Sequence, residues 1–245
     1  MGWSLNFISE EDFKKHVGAT IEKYGENHQR IFQYIDKCRV PENGKEGGWD
    51  VIYQNEDGII LPDGDIVHTV YVEMKNKHNT MNSASAGKTY IKMQHQLLSD
   101  DDCACFLVEA IAQKSQNITW KTTVDGKRVS HKRIRRVSLD QFYAITTGEE
   151  NAFYNMCMAL PNVIENVVKH DGTVQIPHDV VLQELKNIAL ISGKETEDMA
   201  MAIAVYMLGF SSYLGFSSLI ENTIDHAAND NNLKRIYAYA THKLP

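Results

Sequence analysis

The segment HTVYVEMKNK, residues 68–77, constrains the fold most, because apolar and polar side chains alternate along it. A β-strand sends successive side chains to opposite faces, so Val70, Val72 and Met74 form an apolar face. Glu73 and Lys75 then project together from the other face. Since a partly buried charge is costly unless it meets a partner or an ion, this strand is predicted to carry a polar site on a buried sheet.

Asp50 precedes Glu73 by twenty-three residues, within the segment GGWDVIYQ. If the two segments pair as strands of a hairpin with a long insert, the Asp50 and Glu73 carboxylates converge. Two adjacent carboxylates repel each other unless a divalent cation lies between them, and Mg²⁺ needs few protein oxygens because it keeps several waters. The pattern therefore predicts a Mg²⁺ site on Asp50 and Glu73, with Lys75 orienting an attacking water or stabilising the transition state of phosphodiester cleavage.

An ExK pair on a strand also occurs as a plain salt bridge, so a DNA-binding module without catalysis is an alternative. Asp50 follows Trp49 and lacks the Pro of the strict PD pattern. That departure matters little, because only the carboxylate binds a metal. The Asp at the strand start, with a helix before it and a Lys-bearing helix after Lys75, favours a nuclease of the PD-(D/E)XK kind.

The rest of the chain predicts an α/β fold with a small mixed sheet flanked by helices. A core of residues 1–150 and a helical part of residues 151–245 are expected, the latter packed on the core for dimerisation or DNA contact. The predicted elements are a helix within 9–37 with Ser9 as N-cap, strands within 43–77 separated by turns at EDG and PDGD, a helix at 85–99, a strand at 104–112, a hairpin around Asp125-Gly126, and a helix opened by a capping box at Ser138 and Gln141.

The charge of the chain is unevenly distributed. The formal net charge is −7, yet residues 120–136 hold seven Lys or Arg and one Asp, a net of +6 that leaves −13 elsewhere. Such a basic element on an acidic body is suited to holding DNA at one place, although a solvated hairpin is an equal alternative. Because arginine is the commonest reader of guanine, Arg133 and Arg135, which share a face with His131, are predicted to contact bases or phosphates.

The run YVEMKNKHNTMNSASAGKTYIKMQHQL, with WDV upstream and LDQFYAITTGEENAFY downstream, resembles the type II restriction endonucleases of the Eco47II family over roughly residues 3–225. The resemblance implies a PD-(D/E)XK core, Mg²⁺-dependent cleavage of both DNA strands at a GGNCC-like palindrome, a homodimer, and a methyltransferase that protects the host. It places the metal-binding acids on Asp50 and Glu73 and the catalytic lysine on Lys75. A PD-(D/E)XK nuclease of DNA repair or junction resolution is the alternative enzyme.

Further residues are predicted around this site. Glu22 on the first helix is expected to give an outer-sphere metal contact, with an exposed helix glutamate as the alternative. The polar loop after the catalytic strand is suited to phosphate or base contacts. Residues four apart on the next helix would either follow the DNA backbone or form a solvated face. The predicted DNA-contacting residues of this loop and helix are Asn76, Lys77, Asn79, Asn82, Lys88, Lys92 and Gln96.

The sequence predicts a cytoplasmic protein with reduced thiols, because its four cysteines form no CxxC pair and its start lacks a basic and apolar leader. Residues 199–220 carry no charge, so a membrane span is one interpretation of this stretch. Serines and glycines interrupt this stretch and no Lys/Arg cluster flanks it, so two buried helices that meet near Gly209 are predicted and no membrane association is expected.

Overall fold

A computed structural model of the chain describes residues 6–9, 11–13, 15, 28–42, 45–77, 81–157, 159 and 213–216. By its internal contacts the chain divides into two units, Met1–Gly172 and Thr173–Pro245. The sheet and the helices given below all lie in the first unit. The core at 1–150 and the helical part at 151–245 remain predictions, because beyond residue 159 only 213–216 are described.

A mixed β-sheet with helices forms the first unit, as the alternation of strand and helix patterns predicts. Across the described residues six strands lie in the order β1-β2-β3-β4-β6-β5, where β3–β4 and β4–β6 are parallel and the other pairs antiparallel. The elements are 3-10 helices at His28–Tyr34 and Glu46–Gly48, β1 Cys38–Arg39, β2 Val51–Ile60, β3 Ile66–Lys77, α1 Ser83–Ser99, β4 Cys103–Ile111, β5 Asn117–Val124, β6 Lys127–Ser138 and α2 Leu139–Thr147.

Several predicted elements are confirmed with small shifts at their ends. The Asn82 side chain caps α1 by accepting a hydrogen bond from Ser85 N at 2.9 Å, so the helix begins two residues earlier than predicted. Asp125 and Gly126 have φ of 48° and 77°, which is the geometry of a two-residue hairpin turn between β5 and β6. Ser9 Oγ accepts from Asp12 N at 3.0 Å, as expected of an N-cap. Residues 16–27 of the predicted first helix lie outside the described residues, and 28–34 form the 3-10 helix.

The turn predicted at the EDG sequence is wrong, because β2 continues through it. The pairing of β2 with β3 shifts register between Gln54 and Ile59, so the intervening residues form a bulge. Asn55 stabilises the bulge by accepting from Asp57 N at 3.2 Å and donating to Gly58 O at 3.2 Å. The turn predicted at PDGD is present, with Leu61 N donating to Asp65 O at 2.8 Å.

The capping box predicted at Ser138 and Gln141 is also wrong, although α2 begins where it was expected. Gln141 Nε2 donates to Ser115 Oγ at 2.9 Å, and Ser138 Oγ accepts from Gln116 N at 2.9 Å. Both polar side chains therefore tie the β4–β5 connection to the start of α2. Their partners lie more than twenty residues away in sequence, and a local capping pattern carries no information about them.

The core on one face of the sheet lies under α1 and determines which way β3 faces. Eight consecutive residues of β4 are buried, so both faces of that strand are covered. Tyr71 of β3 packs against the cluster under α1, which places the face of β3 that carries Glu73 and Lys75 on the α1 side. The buried members of this cluster are Trp49, Ile52, Tyr90, Met93, Cys105, Leu107, Trp120 and Ile134. No helix in the described part of the chain is long and apolar enough to cross a membrane.

Candidate active site

The register of β2 and β3 brings Asp50 beside Glu73. Val51 pairs with Val72, so the residue before Val51 lies opposite the residue after Val72. Asp50 N donates to Val72 O at 2.9 Å, and Asp50 Oδ2 accepts from Met74 N at 2.7 Å. The backbone of β3 thus holds Asp50 on both sides of Glu73, through its backbone N–H at Val72 and through its carboxylate at Met74. The two acids that the sequence paired across a predicted hairpin are neighbours in the structure.

Glu73 is held between two ammonium groups. Lys75 Nζ donates to Glu73 Oε1 at 2.7 Å, and Lys92 Nζ from α1 donates to Glu73 Oε2 at 3.0 Å. The side chain of Glu73 is 17% exposed, against 30% for Lys75 and 31% for Lys92. These groups are thus partly shielded from water while still open to a ligand. Charge-assisted bonds of this kind are stronger than neutral ones, so the carboxylate has a defined orientation.

The two acids differ in their electrostatic state. Burial raises the pKa of Asp50 above its ordinary 3.8, and the negative charge of Glu73 adds to that rise, while the Met74 N–H and the two lysines oppose it. Burial also acts to raise the pKa of Glu73, but the hydrogen bonds from Lys75 and Lys92 outweigh it and hold the pKa below 4.5. Perturbed carboxyl groups of this kind are typical of functional sites. Asp50 is therefore the acid with the greater need for a compensating cation.

The donor set suits a hard cation that retains water. No group of three or more His, Cys, Asp or Glu side chains converges within the part of the chain that the structure describes. Asp50 and Glu73 offer carboxylate oxygens, which fits Mg²⁺ with its retained waters. Glu22, the third acid predicted here, lies outside the described residues.

Helix α1 turns Lys92 and Gln96 towards Trp49. Gln96 Oε1 accepts from Trp49 Nε1 at 3.2 Å, and Lys92 Nζ lies 4.0 Å from the centroid of the Trp49 ring. The two residues do share a helix face, as their spacing predicted, but that face packs against the strand and is not a solvated stripe. Lys88, one turn earlier, is exposed. The sequence carried one signal for this contact between α1 and the sheet. Helix α1 directly follows β3, and a helix that connects two parallel strands packs back over the first of them.

The loop after β3 is described in part. Asn76 is exposed at the end of the strand, and Lys77 is its last residue. Asn79 lies outside the described residues. Asn82 has a structural task as the cap of α1, which is compatible with its position at the protein surface. Asn76 and Asn82 are therefore the predicted residues of this loop whose side chains are described as exposed.

The arginines predicted to read bases are engaged within the protein. Arg133 Nε donates to Asp65 Oδ2 at 2.7 Å, and its guanidinium also contacts the carbonyl of Asp101. Arg135 is 4% exposed and donates to the Asn117 side chain at 2.6 Å and to Asn117 O at 2.7 Å. This geometry gives no support to direct base reading by Arg135. Beside these arginines the pairing of β5 with β6 changes register, because the two-residue step from Thr119 to Lys121 lies opposite the five-residue step from Arg135 to Ser130.

Comparison with known proteins gives the family context of this geometry. The family model described as Eco47II restriction endonuclease matches residues 22–169. The type II restriction enzyme Sau96I of Staphylococcus aureus is 37% identical over 176 residues, which are 66% of this chain and 63% of that enzyme. The chain thus spans less than two thirds of the length of this relative. No solved structure matches the chain.

Proposed function

Because the chain belongs to the Eco47II restriction endonuclease family, we propose that it is a type II restriction endonuclease that hydrolyses both strands of DNA at a short palindromic site. The observation that carries the proposal is the position of Asp50 beside Glu73, with Lys75 Nζ 2.7 Å from the Glu73 carboxylate. The mixed sheet, with β3 and β4 parallel and α1 between them in sequence, supports a PD-(D/E)XK core.

In the proposed reaction Asp50 and Glu73 hold Mg²⁺, which supplies an acidified water and offsets charge on the phosphate when it is bound. The Met74 N–H keeps the Asp50 carboxylate in place. Lys75 is the group suited to contact the scissile phosphate. Its ammonium is partly exposed and bonded to Glu73, so it can turn to an oxygen that gains charge as the P–O bond breaks.

The proposed substrate is double-stranded DNA with a GGNCC-like site, as the family resemblance implies. A palindrome has two-fold symmetry, so a homodimer would place one active site on each strand. A methyltransferase that modifies the same site would protect the host DNA, and no stable complex with it is expected. The four free thiols suit the proposed location in the cytoplasm.

The exposed tip of the β5–β6 hairpin supports a DNA-backbone contact. Lys121, Lys127 and Arg128 are exposed there. The tip lies over the start of α1, since a Cβ on Gly87 would meet Thr123 O at 3.7 Å. That end of α1 follows the catalytic strand, which supports phosphate contacts by these residues together with Lys88.

The base-reading role proposed for Arg133 and Arg135 would require them to exchange protein partners for DNA. Asn76 is proposed as a loop contact on the basis of its exposure after the catalytic strand.

The test is to incubate the protein with plasmid DNA and Mg²⁺ and to sequence the fragment ends. Discrete fragments that share one terminal sequence are expected, and the same ends give the site and the stagger. A smear, or cuts confined to branched DNA, would instead indicate a nuclease of repair or junction resolution. The third outcome is a protein that binds DNA, cuts it with no divalent cation, and binds it equally well after Glu73→Ala. That result would indicate a DNA-binding module without catalysis.

A further inference from the structure

Glu73 meets two lysines, and only one of them belongs to the ExK motif. Lys75 lies two residues further along the same strand, whereas Lys92 comes from α1, nineteen residues away in sequence. Each ammonium bonds a different oxygen of the same carboxylate. The second lysine is therefore part of the site by geometry, although no spacing in the sequence connects it to Glu73.

Lys92 is anchored more firmly than Lys75. Its Nζ donates to Gly48 O at 2.8 Å and to Glu73 Oε2 at 3.0 Å, and it lies 4.0 Å from the centroid of the Trp49 ring. An ammonium has three donors, and a cation over an indole face adds a further attraction. Within the described part of the chain, Lys75 Nζ shows one such contact, that with Glu73 Oε1.

We propose that Lys92 is a second active-site lysine, a positioning residue that fixes Glu73 and the segment leading to Asp50 and thereby leaves Lys75 free for the phosphate. This inference rests on the proposed nuclease function. The residues that Lys92 holds on the other side, Gly48 and Trp49, immediately precede Asp50. One ammonium thus links the backbone before the first acid to the carboxylate of the second.

Anchoring decides which lysine moves. Turning Lys75 away from Glu73 breaks one contact, while turning Lys92 away breaks contacts with a carbonyl, a carboxylate and an aromatic ring. Lys92 therefore stays on Glu73 during the reaction and Lys75 turns. Small misplacements of a catalytic group cost about 100-fold in rate, so loss of this anchor is expected to act on kcat.

The positive charge of Lys92 also repels a cation bound at Asp50 and Glu73. The affinity for a divalent cation therefore distinguishes this role of Lys92 from a purely structural one. At physiological ionic strength, where both water and salt screen the charges, a unit charge about 4–5 Å from a divalent cation changes its affinity about fivefold. Removing Lys92 should therefore tighten the binding of a divalent cation while slowing the reaction. Removing a residue that only maintains the fold would instead weaken cation binding and slow the reaction together.

The experiment compares Lys92→Met, Lys92→Gln and Lys92→Arg with the wild-type protein. Affinity for Mn²⁺ is measured without DNA from the paramagnetic resonance signal of the free ion, and kcat and KM are measured on plasmid DNA with Mg²⁺. Lys92→Met and Lys92→Gln are expected to bind Mn²⁺ about fivefold more tightly and to lose about 100-fold in kcat, with KM changed less than about threefold. Lys92→Arg should keep the wild-type Mn²⁺ affinity and recover most of kcat.

Lys37→Met is the matched control, because Lys37 also bridges two acceptors, Asn55 at 2.8 Å and Asp57 at 3.2 Å, on the surface of β2. It should leave both quantities unchanged. Wild-type kcat in both neutral variants would overturn the proposal. So would a rise in KM with unchanged kcat and Mn²⁺ affinity, which would make Lys92 a DNA-backbone contact.

If Lys92→Met does not fold, Lys92→Gln decides, since its amide can still donate to Gly48 O. A wild-type protein that binds Mn²⁺ but cuts no DNA would refute the proposed function. In that case the Mn²⁺ affinities of wild type and the Lys92 variants would still show whether Lys92 lies at the cation site.

Discussion

Exchanging Asp50 and Glu73 for their amides, one at a time, is expected to move the stability of the metal-free protein in opposite directions. The pKa of Asp50 is raised in the folded protein, so ionisation of Asp50 lowers the free energy of unfolding. This loss of stability develops as the pH rises from 3.8 through the folded pKa, and it persists at higher pH. The pKa of Glu73 is lowered, so its stabilisation is present above 4.5 and is lost as the pH falls through the folded pKa.

The magnitudes follow from the contacts. Glu73→Gln weakens two charge-assisted bonds to lysines that are about a third exposed, and at about 1 kcal/mol each after screening the loss is about 2 kcal/mol. Asp50→Asn keeps an oxygen that can accept the Met74 N–H and removes the buried charge, for a gain of about 1 kcal/mol. For a chain of this size the expected changes in Tm are a fall of roughly 4–8 °C and a rise of roughly 2–4 °C.

Differential scanning calorimetry at pH 7.5 in a chelator measures both shifts, with the exposed Glu56→Gln as a control expected to stay within about 0.5 kcal/mol of wild type. Both differences from wild type should shrink as the pH is lowered, through the raised pKa of Asp50 and then through the lowered pKa of Glu73. Added Mg²⁺ should raise the Tm of wild type more than that of either variant. A fall in Tm for Asp50→Asn as large as that for Glu73→Gln would refute the reasoning, because Asp50 would then be an ordinary structural acid.

Three further outcomes are expected. The hydroxyl of buried Tyr90 meets no hydrogen-bond partner among the described residues, so Tyr90→Phe should raise the free energy of unfolding by about 1 kcal/mol in urea titrations, and a decrease would reveal a partner. Glu109 is 2% exposed and contacts Arg136, so Glu109→Ala should lose about 3–5 kcal/mol in the same assay and Glu109→Gln less; equal losses would contradict a role for the charge. Replacing Lys127 and Arg128 by Ala should reduce the slope of log K for DNA binding against log salt by about two, and an unchanged slope would place DNA elsewhere.

The pairing of the two acids was predictable from the sequence because it depends on local rules. The period of two along HTVYVEMKNK selects the face that carries Glu73, and a hairpin return brings Asp50 to the same level. The strand, helix and hairpin that follow were placed within a few residues for the same reason. In each of these elements the spacing of apolar residues along the segment itself predicts the secondary structure and the buried face.

What the sequence did not predict depends on contacts between distant segments. Lys92 reaches Glu73 because α1 crosses back over β3, and its spacing from Lys88 and Gln96 shows only that the three share a helix face. The contacts of Arg135 with Asn117 were not predicted either, because they lie beside a register shift between β5 and β6. A bulge of this kind changes which residues face inward and leaves no clear mark in the composition.

The most direct measurement of the central claim is cleavage and binding by Glu73→Gln on one DNA fragment that wild type cuts. With Mg²⁺, the variant is expected to lose at least about 1,000-fold in cleavage rate while its DNA affinity, measured in Ca²⁺, stays within about threefold of wild type. Glu56→Gln should cut as wild type does. Cleavage by Glu73→Gln at more than about a tenth of the wild-type rate would contradict the account, because hydrolysis would then not depend on the acid that lies beside Asp50 and is bonded by Lys75 and Lys92.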